Sequence, residues 1–291
     1  MSSVFECVPN VSEGRRADVI AEIARDAAGR DVVLLDTQSD SAHNRSVYTL
    51  VGTAEGVLGA ALRIAGAAVK LIDLREHSGE HPRMGAVDVI PFIPVSGATM
   101  DDAVALAHSC AEELWKQYRL PSYYYEFAAT RPERRDLGNV RKGQFEGLLE
   151  AVKDPERHPD VGEPALHPSA GIVAVGARNF LIAFNVNLAT GDLKLAERIA
   201  HAVRRRSGGL LGIKALGFAL SDSIVQVSMN VVDVNAIPLY RVTELIRREA
   251  AAAGVDVSGC ELVGLSPLSA IAESAAYYLH LESIDPRAVT W

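Results

Sequence analysis

The chain has 291 residues, of which 48% are hydrophobic, so it is long enough for about two domains with sizeable buried cores. Its formal net charge of −8 argues against nucleic acid as the main partner, because a phosphate backbone is bound by a basic surface. An anionic small substrate would therefore need arginines that are clustered locally.

The first third of the sequence predicts six elements in the order β-α-β-β-α-β, from the spacing of its apolar residues. In chain order these are residues 5–9 (extended), 15–28 (helix), 32–36 and 46–51 (strands), 54–72 (helix) and 87–95 (strand). This order is the split βαβ, or ferredoxin-like, unit. Pro91 and Pro94 favour an edge position for the last strand, since proline cannot donate a ladder hydrogen bond.

The same order is predicted again in the last third of the chain. Its segments are residues 180–188 (strand), 193–206 (helix), 215–220 and 224–232 (hairpin strands), 238–253 (helix) and 257–265 (strand). Between the repeats we predict helices at 101–118 and 142–152, a strand at 122–128 and a linker at 154–169, and a last helix follows at 266–281. The prediction is an α+β fold of two ferredoxin-like (βαββαβ) repeats with extra helices and a strand between them, divided into domains 1–178 and 179–291.

The cysteines and the apolar stretches indicate where the protein resides. Cys7, Cys110 and Cys260 are widely spaced, which favours buried, reduced thiols over a disulfide framework or a metal knuckle. The first residues are charged and do not form a signal peptide. The most apolar stretch, 57–72, contains Arg63 and is too short to cross a bilayer. We therefore expect a cytoplasmic protein without a membrane partner.

The most informative stretch is HSGEHPRMG at residues 77–85. Two histidines four residues apart are typical of a helical zinc site, but Gly79 and Pro82 break a helix, so we predict a loop. His81 is then a candidate for proton transfer and Arg83 for binding a carboxylate. A histidine satisfied by the backbone and an arginine in a surface ion pair are the alternatives.

Three loops of the first repeat are predicted to leave from the same end of its sheet. They are residues 10–14, 36–45 and 73–85, and they hold most of the polar side chains of the first domain. Turn chemistry is an alternative explanation for Asp40 and Asn44. Function is often carried on loops that a rigid frame positions, so we predict a polar cleft here. Besides residues 77–85, its candidates are Asn10, Asp36, Asp40, Asn44 and Arg45.

A second cluster, GEPALHPSAG at residues 162–171, lies between the repeats and is followed by Arg178. Proline and glycine are typical of a linker, and that interpretation stays open. Small residues also let a flat ligand lie against the backbone, and ligand sites favour domain interfaces. Arg178 would add a second positive charge there.

With these stretches the chain resembles the formiminotransferase family of glutamate formimidoyltransferases, in the standalone form without a cyclodeaminase domain. The matching stretches are ECVPNVSEG (6–14), HNRSV (43–47), GEHPRMGAVDV (79–89), GAR (176–178) and LIAFNVN (181–187). The resemblance implies two subdomains that transfer a formimino group from formiminoglutamate to the co-substrate tetrahydrofolate. It also implies that His81 is the catalytic histidine and that the folate lies along residues 162–171. The candidate contacts there are Gly162, His167, Pro168, Ser169 and Gly171.

The resulting hypothesis is that His81 relays a proton between the two nitrogens that exchange the one-carbon group. Asp36 or Asp40 would orient His81 or steady the developing positive charge. Arg45, Arg83 and Arg178 would bind substrate carboxylates, and Asn10 and Asn44 are further candidate binding residues. No metal is required, and we expect a homodimer.

Three other activities stay open at this point. The first is formyl transfer in the same cleft. The second is a metal-dependent amidohydrolase that uses His77, His81 and Asp88. The third is a sensor that binds folate or an amino acid without turnover. The sequence does not distinguish the formimino from the formyl donor, and it does not give the length of the polyglutamate tail or the acid that pairs with His81.

Overall fold

The computed structural model describes residues 3–79, 81–233 and 236–282, and it confirms the α+β class. The chain divides into two compact units, Met1–Arg178 and Asn179–Trp291. Within the described residues, no helix has both the length and the apolar character that a membrane span needs.

The first unit begins with the six predicted elements. They are β1 (Val4–Cys7) and its continuation β2 (Asn10–Val11), α1 (Ala17–Ala27), β3 (Val32–Asp40), β4 (Arg45–Gly52), α2 (Ala54–Leu71) and β5 (Val87–Ser96). The rest of the unit comprises α3 (Met100–Tyr118), β6 (Ser122–Glu126), α4 (Leu137–Val140), α5 (Gln144–Ala151) and β7 (Val173–Ala177). β7 and the short helix α4 are elements that the sequence pattern missed, and the helix expected at 142–152 is α5.

The strands of the first unit form one sheet, in which β1 and β2 together lie between β4 and β5. β3, β4, β1/β2 and β5 pair antiparallel, and β7 and β6 extend the sheet with parallel pairs. α1, α2 and α3 pack on one face through a shared apolar core. Because side chains alternate along a strand, Glu6, Asn10 and Thr49 lie on the opposite face.

The prediction that β5 is an edge strand is wrong, because β5 pairs with β1/β2 on one side and β7 on the other. The two prolines are tolerated for local reasons. Pro91 lies opposite the interruption between β1 and β2, where its carbonyl accepts a hydrogen bond from Val8 N at 3.2 Å. The pairing with β7 ends at Phe92, so Pro94 lies beyond it.

A register shift in β3 decides which face carries its polar side chains. Leu34 pairs with Leu50 and packs against the core under the helices. The next pair is Asp36 with Thr49, so Leu35 is an extra residue of the kind that forms a β-bulge. This shift turns Asp36, Gln38 and Asp40 to the face opposite α1–α3.

The second unit is an antiparallel sheet with helices on one side. Its elements are β8 (Ile182–Leu188), α6 (Leu193–Val203), β9 (Ile213–Ser221), β10 (Ile224–Val231), α7 (Leu239–Ala251), β11 (Val257–Val263) and α8 (Leu268–Leu279). The strand order is β11-β8-β10-β9. Its separate core is built from the buried faces of α6 and α7 and from alternate residues of the strands.

A buried ion pair holds the segment between β6 and β7 in place. Arg134 Nη1 lies 2.5 Å from Asp160 Oδ2, and both side chains are less than a tenth exposed (6% and 7%). Asp160 also accepts hydrogen bonds from Tyr124 N and Thr130 Oγ1. Removing one partner of such a pair leaves an uncompensated buried charge.

We predict that Asp160→Asn lowers the free energy of unfolding by about 3–5 kcal/mol, because Arg134 keeps its charge and loses its counter-ion. The matched control is Glu150→Gln, which removes an exposed ion pair with Lys153 and should cost less than about 1 kcal/mol. Urea unfolding of the two variants measures both values. Similar losses in the two variants would contradict the buried pair.

Candidate active site

Asn44 joins the three loops that were predicted to share one end of the sheet. It has a positive φ of 50°, which asparagine tolerates better than most residues. Its Oδ1 accepts a hydrogen bond from Gly14 N at 2.9 Å, and its Nδ2 donates to Ser78 O at 2.9 Å. Its carbonyl oxygen lies 3.1 Å from His77 Nε2. The loops at 10–14, 36–45 and 73–85 are therefore in direct contact.

His81 lies in this loop cluster with its imidazole against Arg45. Arg45 Nη1 is 2.6 Å from His81 Nε2, and an arginine can only donate, so Nε2 accepts and the ring proton is assigned to Nδ1. Burial, together with the charges of Arg45, Arg141 and His43, lowers the pKa of His81 to about 3. The ring is therefore neutral at neutral pH.

Arg141 is a member of the site that the sequence analysis missed. It follows α4, and its Nη2 donates to Asp88 Oδ2 at 2.5 Å. Asp88 is 1% exposed, and its Oδ1 accepts from Met84 N at 2.8 Å. Burial and the charge of Arg141 lower the pKa of Arg45, so two cations lie close together here. A basic residue in an irregular segment 60 positions from His81 gave no signal in the sequence.

The two predicted acids do not contact His81 within the described part of the chain. Asp36 Oδ2 accepts from Gln38 Nε2 at 3.0 Å, further along the sheet. Asp40 accepts from His43 N and lies 2.8 Å from His43 Nδ1. The centroids of the His43 and His81 rings are 6.2 Å apart. Asp40 therefore contacts a neighbour of His81 and not His81 itself. Arg45 takes the place beside His81 that the sequence analysis assigned to an acid.

Arg83 is buried, and its N–H groups donate hydrogen bonds to other residues of the chain. Its Nη1 and Nη2 donate to both carboxylate oxygens of Glu146 at 2.9 and 2.6 Å, and its Nε donates to His77 Nδ1 at 3.0 Å. With Nε2 bonded to Asn44, both ring nitrogens of His77 are engaged. Ligation of a metal by His77, His81 and Asp88 would break the hydrogen bonds that these side chains make. Within the described residues, no group of three or more His, Cys, Asp or Glu side chains is placed to hold a metal ion.

The predicted folate segment divides into two parts. Ser169 O accepts from Leu74 N, Ala170 O accepts from Ala86 N, and Ile172 N donates to Met84 O, all at 2.8–3.0 Å, so this end lies against the His81 loop. Gly171 has a φ of 71°, and a Cβ there would be 2.2 Å from Met84 O. His167 Nδ1 accepts from Ala170 N at 3.0 Å. The other end is separate from His81: Gly162 faces Trp115, and Pro168 lines a surface pocket with Trp115 and Arg119.

Arg178 and Asn10 lie at different positions along the strands of the first unit's sheet. Arg178 N donates to Phe92 O, and Phe92 is five residue steps along β5 from Val87, or about 16 Å at the usual strand rise. The Arg178 charge acts on Glu6, whose pKa is raised by burial and lowered by that charge, with a net rise. Asn10 pairs with Val47 on β4, two residues from Arg45.

Comparison with known proteins identifies the family. The formiminotransferase domain, N-terminal subdomain, matches residues 4–178, and the formiminotransferase domain matches residues 183–285. The chain belongs to the formiminotransferase family. It is 45% identical to the glutamate formimidoyltransferase of Streptococcus pyogenes, covering 98% of this chain and 96% of the relative. The enzyme of the same name from Thermoplasma acidophilum is 43% identical over 97% and 94%.

The chain also resembles one part of longer enzymes in this family. It is 43% identical to the formimidoyltransferase-cyclodeaminase of Sus scrofa, with 98% of this chain matched to 54% of the relative. The chain thus spans about half the length of that animal enzyme, whereas it spans nearly all of the bacterial and archaeal relatives. The family predicted from the sequence is confirmed.

The lowered pKa of His81 predicts a pH-dependent stability. The unfolded chain, with an ordinary pKa near 6.5, binds a proton that the folded chain excludes until about pH 3. The His81 contribution to the free energy of unfolding is therefore complete above pH 6.5 and is lost as the pH falls towards 3. We expect this contribution to change by up to about 1.4 kcal/mol per pH unit in that window.

The measurement is urea unfolding between about pH 4.5 and 7, followed by Trp115 fluorescence in a Trp291→Phe background. His81→Gln should show a shallower decline in stability towards acid than the parent chain. His201→Gln, which removes an exposed histidine from α6, is the control for losing one histidine. The same acid decline in parent and His81→Gln would refute the neutral, buried imidazole.

Proposed function

We propose that this chain transfers a formimino group from N-formimino-L-glutamate to tetrahydrofolate, giving 5-formimidoyltetrahydrofolate and L-glutamate. The family match and the relatives named glutamate formimidoyltransferase support this reaction. The observation that carries it is the neutral imidazole of His81, held by Arg45 in a cluster of three polar loops. The guanidinium at that ring nitrogen opposes a metal ion there, and the ring becomes a proton acceptor at neutral pH only when Arg45 is drawn away from it.

The reaction needs one proton to change place between two nitrogens. The secondary amine of tetrahydrofolate adds to the formimino carbon and forms a tetrahedral intermediate. The proton of the attacking nitrogen then leaves, the departing nitrogen of glutamate gains a proton, and the bond between that nitrogen and the carbon breaks. We assign both proton steps to His81, a role generally worth about 10²–10⁴ in rate.

The remaining candidates are proposed to bind and orient the two substrates. Arg45 is the arginine beside His81 and is assigned to a carboxylate of the donor. Residues 169–171 lie against the His81 loop, which supports contact with the folate near the reacting atom. Arg178, further along the same sheet, suits a carboxylate of a longer ligand such as the folate. Holding both reactants in the reactive orientation contributes as much to the rate as the proton transfer itself.

Arg83 is proposed to position residues rather than to bind substrate. Its guanidinium bridges Glu146 and His77, and His77 in turn contacts the carbonyl of Asn44. This chain of contacts fixes the loop that carries His81. Asn44 acts in the same way, because both ends of its amide are bonded to other loops.

We further propose that both units are ferredoxin-like repeats and that they serve as the two subdomains of the enzyme. The support is that β3, β4, β1/β2, β5 in the first unit and β9, β10, β8, β11 in the second share one strand order. In both units the two helices follow the first and third strands of the repeat. Residence in the cytoplasm and assembly into a homodimer stay predictions.

The test incubates the purified protein with formiminoglutamate and tetrahydrofolate and follows the absorbance or mass of the folate product. We expect transfer by the parent chain and a loss of about 10²–10⁴ in kcat for His81→Asn, with the donor KM changed little. His201→Gln is the control. N-formylglutamate is assayed in parallel, and transfer from that donor without transfer from formiminoglutamate would overturn the proposed substrate.

A further inference from the structure

Two arginines beside His81 share a single close carboxylate among the described residues. Arg141 Nη2 donates to Asp88 Oδ2, whereas the hydrogen bond of Arg45 goes to the uncharged ring of His81. Asp88 has its other oxygen on Met84 N. The next acid whose charge acts on Arg45 is Asp40, which is bonded to His43. Within the described residues, Arg45 therefore makes no hydrogen bond to a carboxylate of its own.

The donors of these arginines are incompletely used. Within the described residues, Arg141 Nε is buried and has no hydrogen-bond partner. A guanidinium has five N–H donors and keeps its charge, so a buried donor without an acceptor is costly. Burial and the like charge of Arg141 lower the pKa of Arg45, and the charges of Asp88 and Asp40 act in the opposite direction. An arrangement of this kind is suited to binding an anion.

We propose that Arg141 and Arg45 together bind a carboxylate of the formimino donor, and that this carboxylate draws Arg45 away from His81. The inference rests on the proposed function, because glutamate supplies the carboxylate. A planar carboxylate matches the fork of a guanidinium and can bridge two of them. Arg141 thereby becomes a substrate-binding residue, with Asp88 fixing its orientation.

The binding of this carboxylate has a consequence for His81. In the structure, Nε2 accepts from Arg45, so its lone pair is already engaged. The charged or titratable groups that act on His81 are Arg45, Arg141 and His43, and Asp88 and Asp40 act on Arg45. A bound carboxylate, together with Asp88, balances the charges of the two arginines, and Nε2 is freed when Arg45 moves to that carboxylate. The pKa of His81 then rises from about 3 towards 6.5, where an imidazole accepts and returns a proton efficiently at neutral pH.

The test follows the ring nitrogens of histidine by ¹⁵N NMR as a function of pH, with and without L-glutamate, and measures glutamate binding by calorimetry. His81→Gln assigns the His81 signal. In the parent chain we expect saturating glutamate to raise the pKa of His81 by about one unit or more. Arg141→Met should raise that pKa in the free protein, weaken glutamate binding about tenfold or more and reduce the glutamate-induced rise.

Two further variants keep the test decisive. Arg141→Met leaves Asp88 buried without its partner, so Asp88→Asn/Arg141→Met removes both charges and is used if the single variant does not fold. Arg135→Met removes an exposed arginine from the same segment and should bind glutamate like the parent chain. Unchanged glutamate affinity in the folded Arg141 variants, or a His81 titration that glutamate does not alter, would overturn the proposal.

The outcome is separable from that of the proposed function. Glutamate binding and the His81 titration are read without turnover. If the parent chain shows no formimino transfer but glutamate shifts His81 through Arg141, the reaction is misassigned and the carboxylate site stands. If transfer occurs and Arg141→Met leaves the donor KM unchanged, the reaction stands and the carboxylate site is refuted.

Discussion

The contact between a permanently charged guanidinium and a neutral imidazole is the interaction on which this site depends. Arg45 occupies the acceptor nitrogen of His81, and Arg141 adds a second positive charge nearby. An imidazole in this position cannot take up a proton at neutral pH while the cations are uncompensated. The free protein therefore holds the His81 ring neutral, and in the proposed mechanism the charge of the substrate releases it for proton transfer.

The fold makes this contact possible by joining distant loops. Asn44 connects residues from the first β–α loop and from the His81 loop, and Arg83 fixes the latter through Glu146. The strand β7 brings residues 169–172 to the same place, because it extends the sheet next to β5. The apolar core under α1–α3 supports the sheet from the other face. The opposite face carries Asp36 and Thr49 together with a second apolar cluster that includes Met84, Tyr123 and Leu148.

Much of this architecture follows from the sequence, because apolar spacing predicts the strands and helices of the two repeats and topology then predicts which loops meet. The details that involve distant partners do not follow. Nothing near Leu35 signals the register shift that turns Asp36 to the other face, and β7, the parallel partner of β5, was not predicted. Arg141 and Glu146 acquire their roles only through tertiary contacts with Asp88 and Arg83. An arginine that binds a substrate and one that braces a loop look alike in sequence.

The most direct measurement is a crystal structure with formiminoglutamate and a folate analogue that cannot accept the formimino group. We expect a ring nitrogen of His81 either within about 3 Å of a nitrogen of the donor or joined to it through one water. We also expect the donor carboxylate to lie between Arg45 and Arg141. A donor bound elsewhere, with His81 still hydrogen-bonded to Arg45, would contradict both expectations.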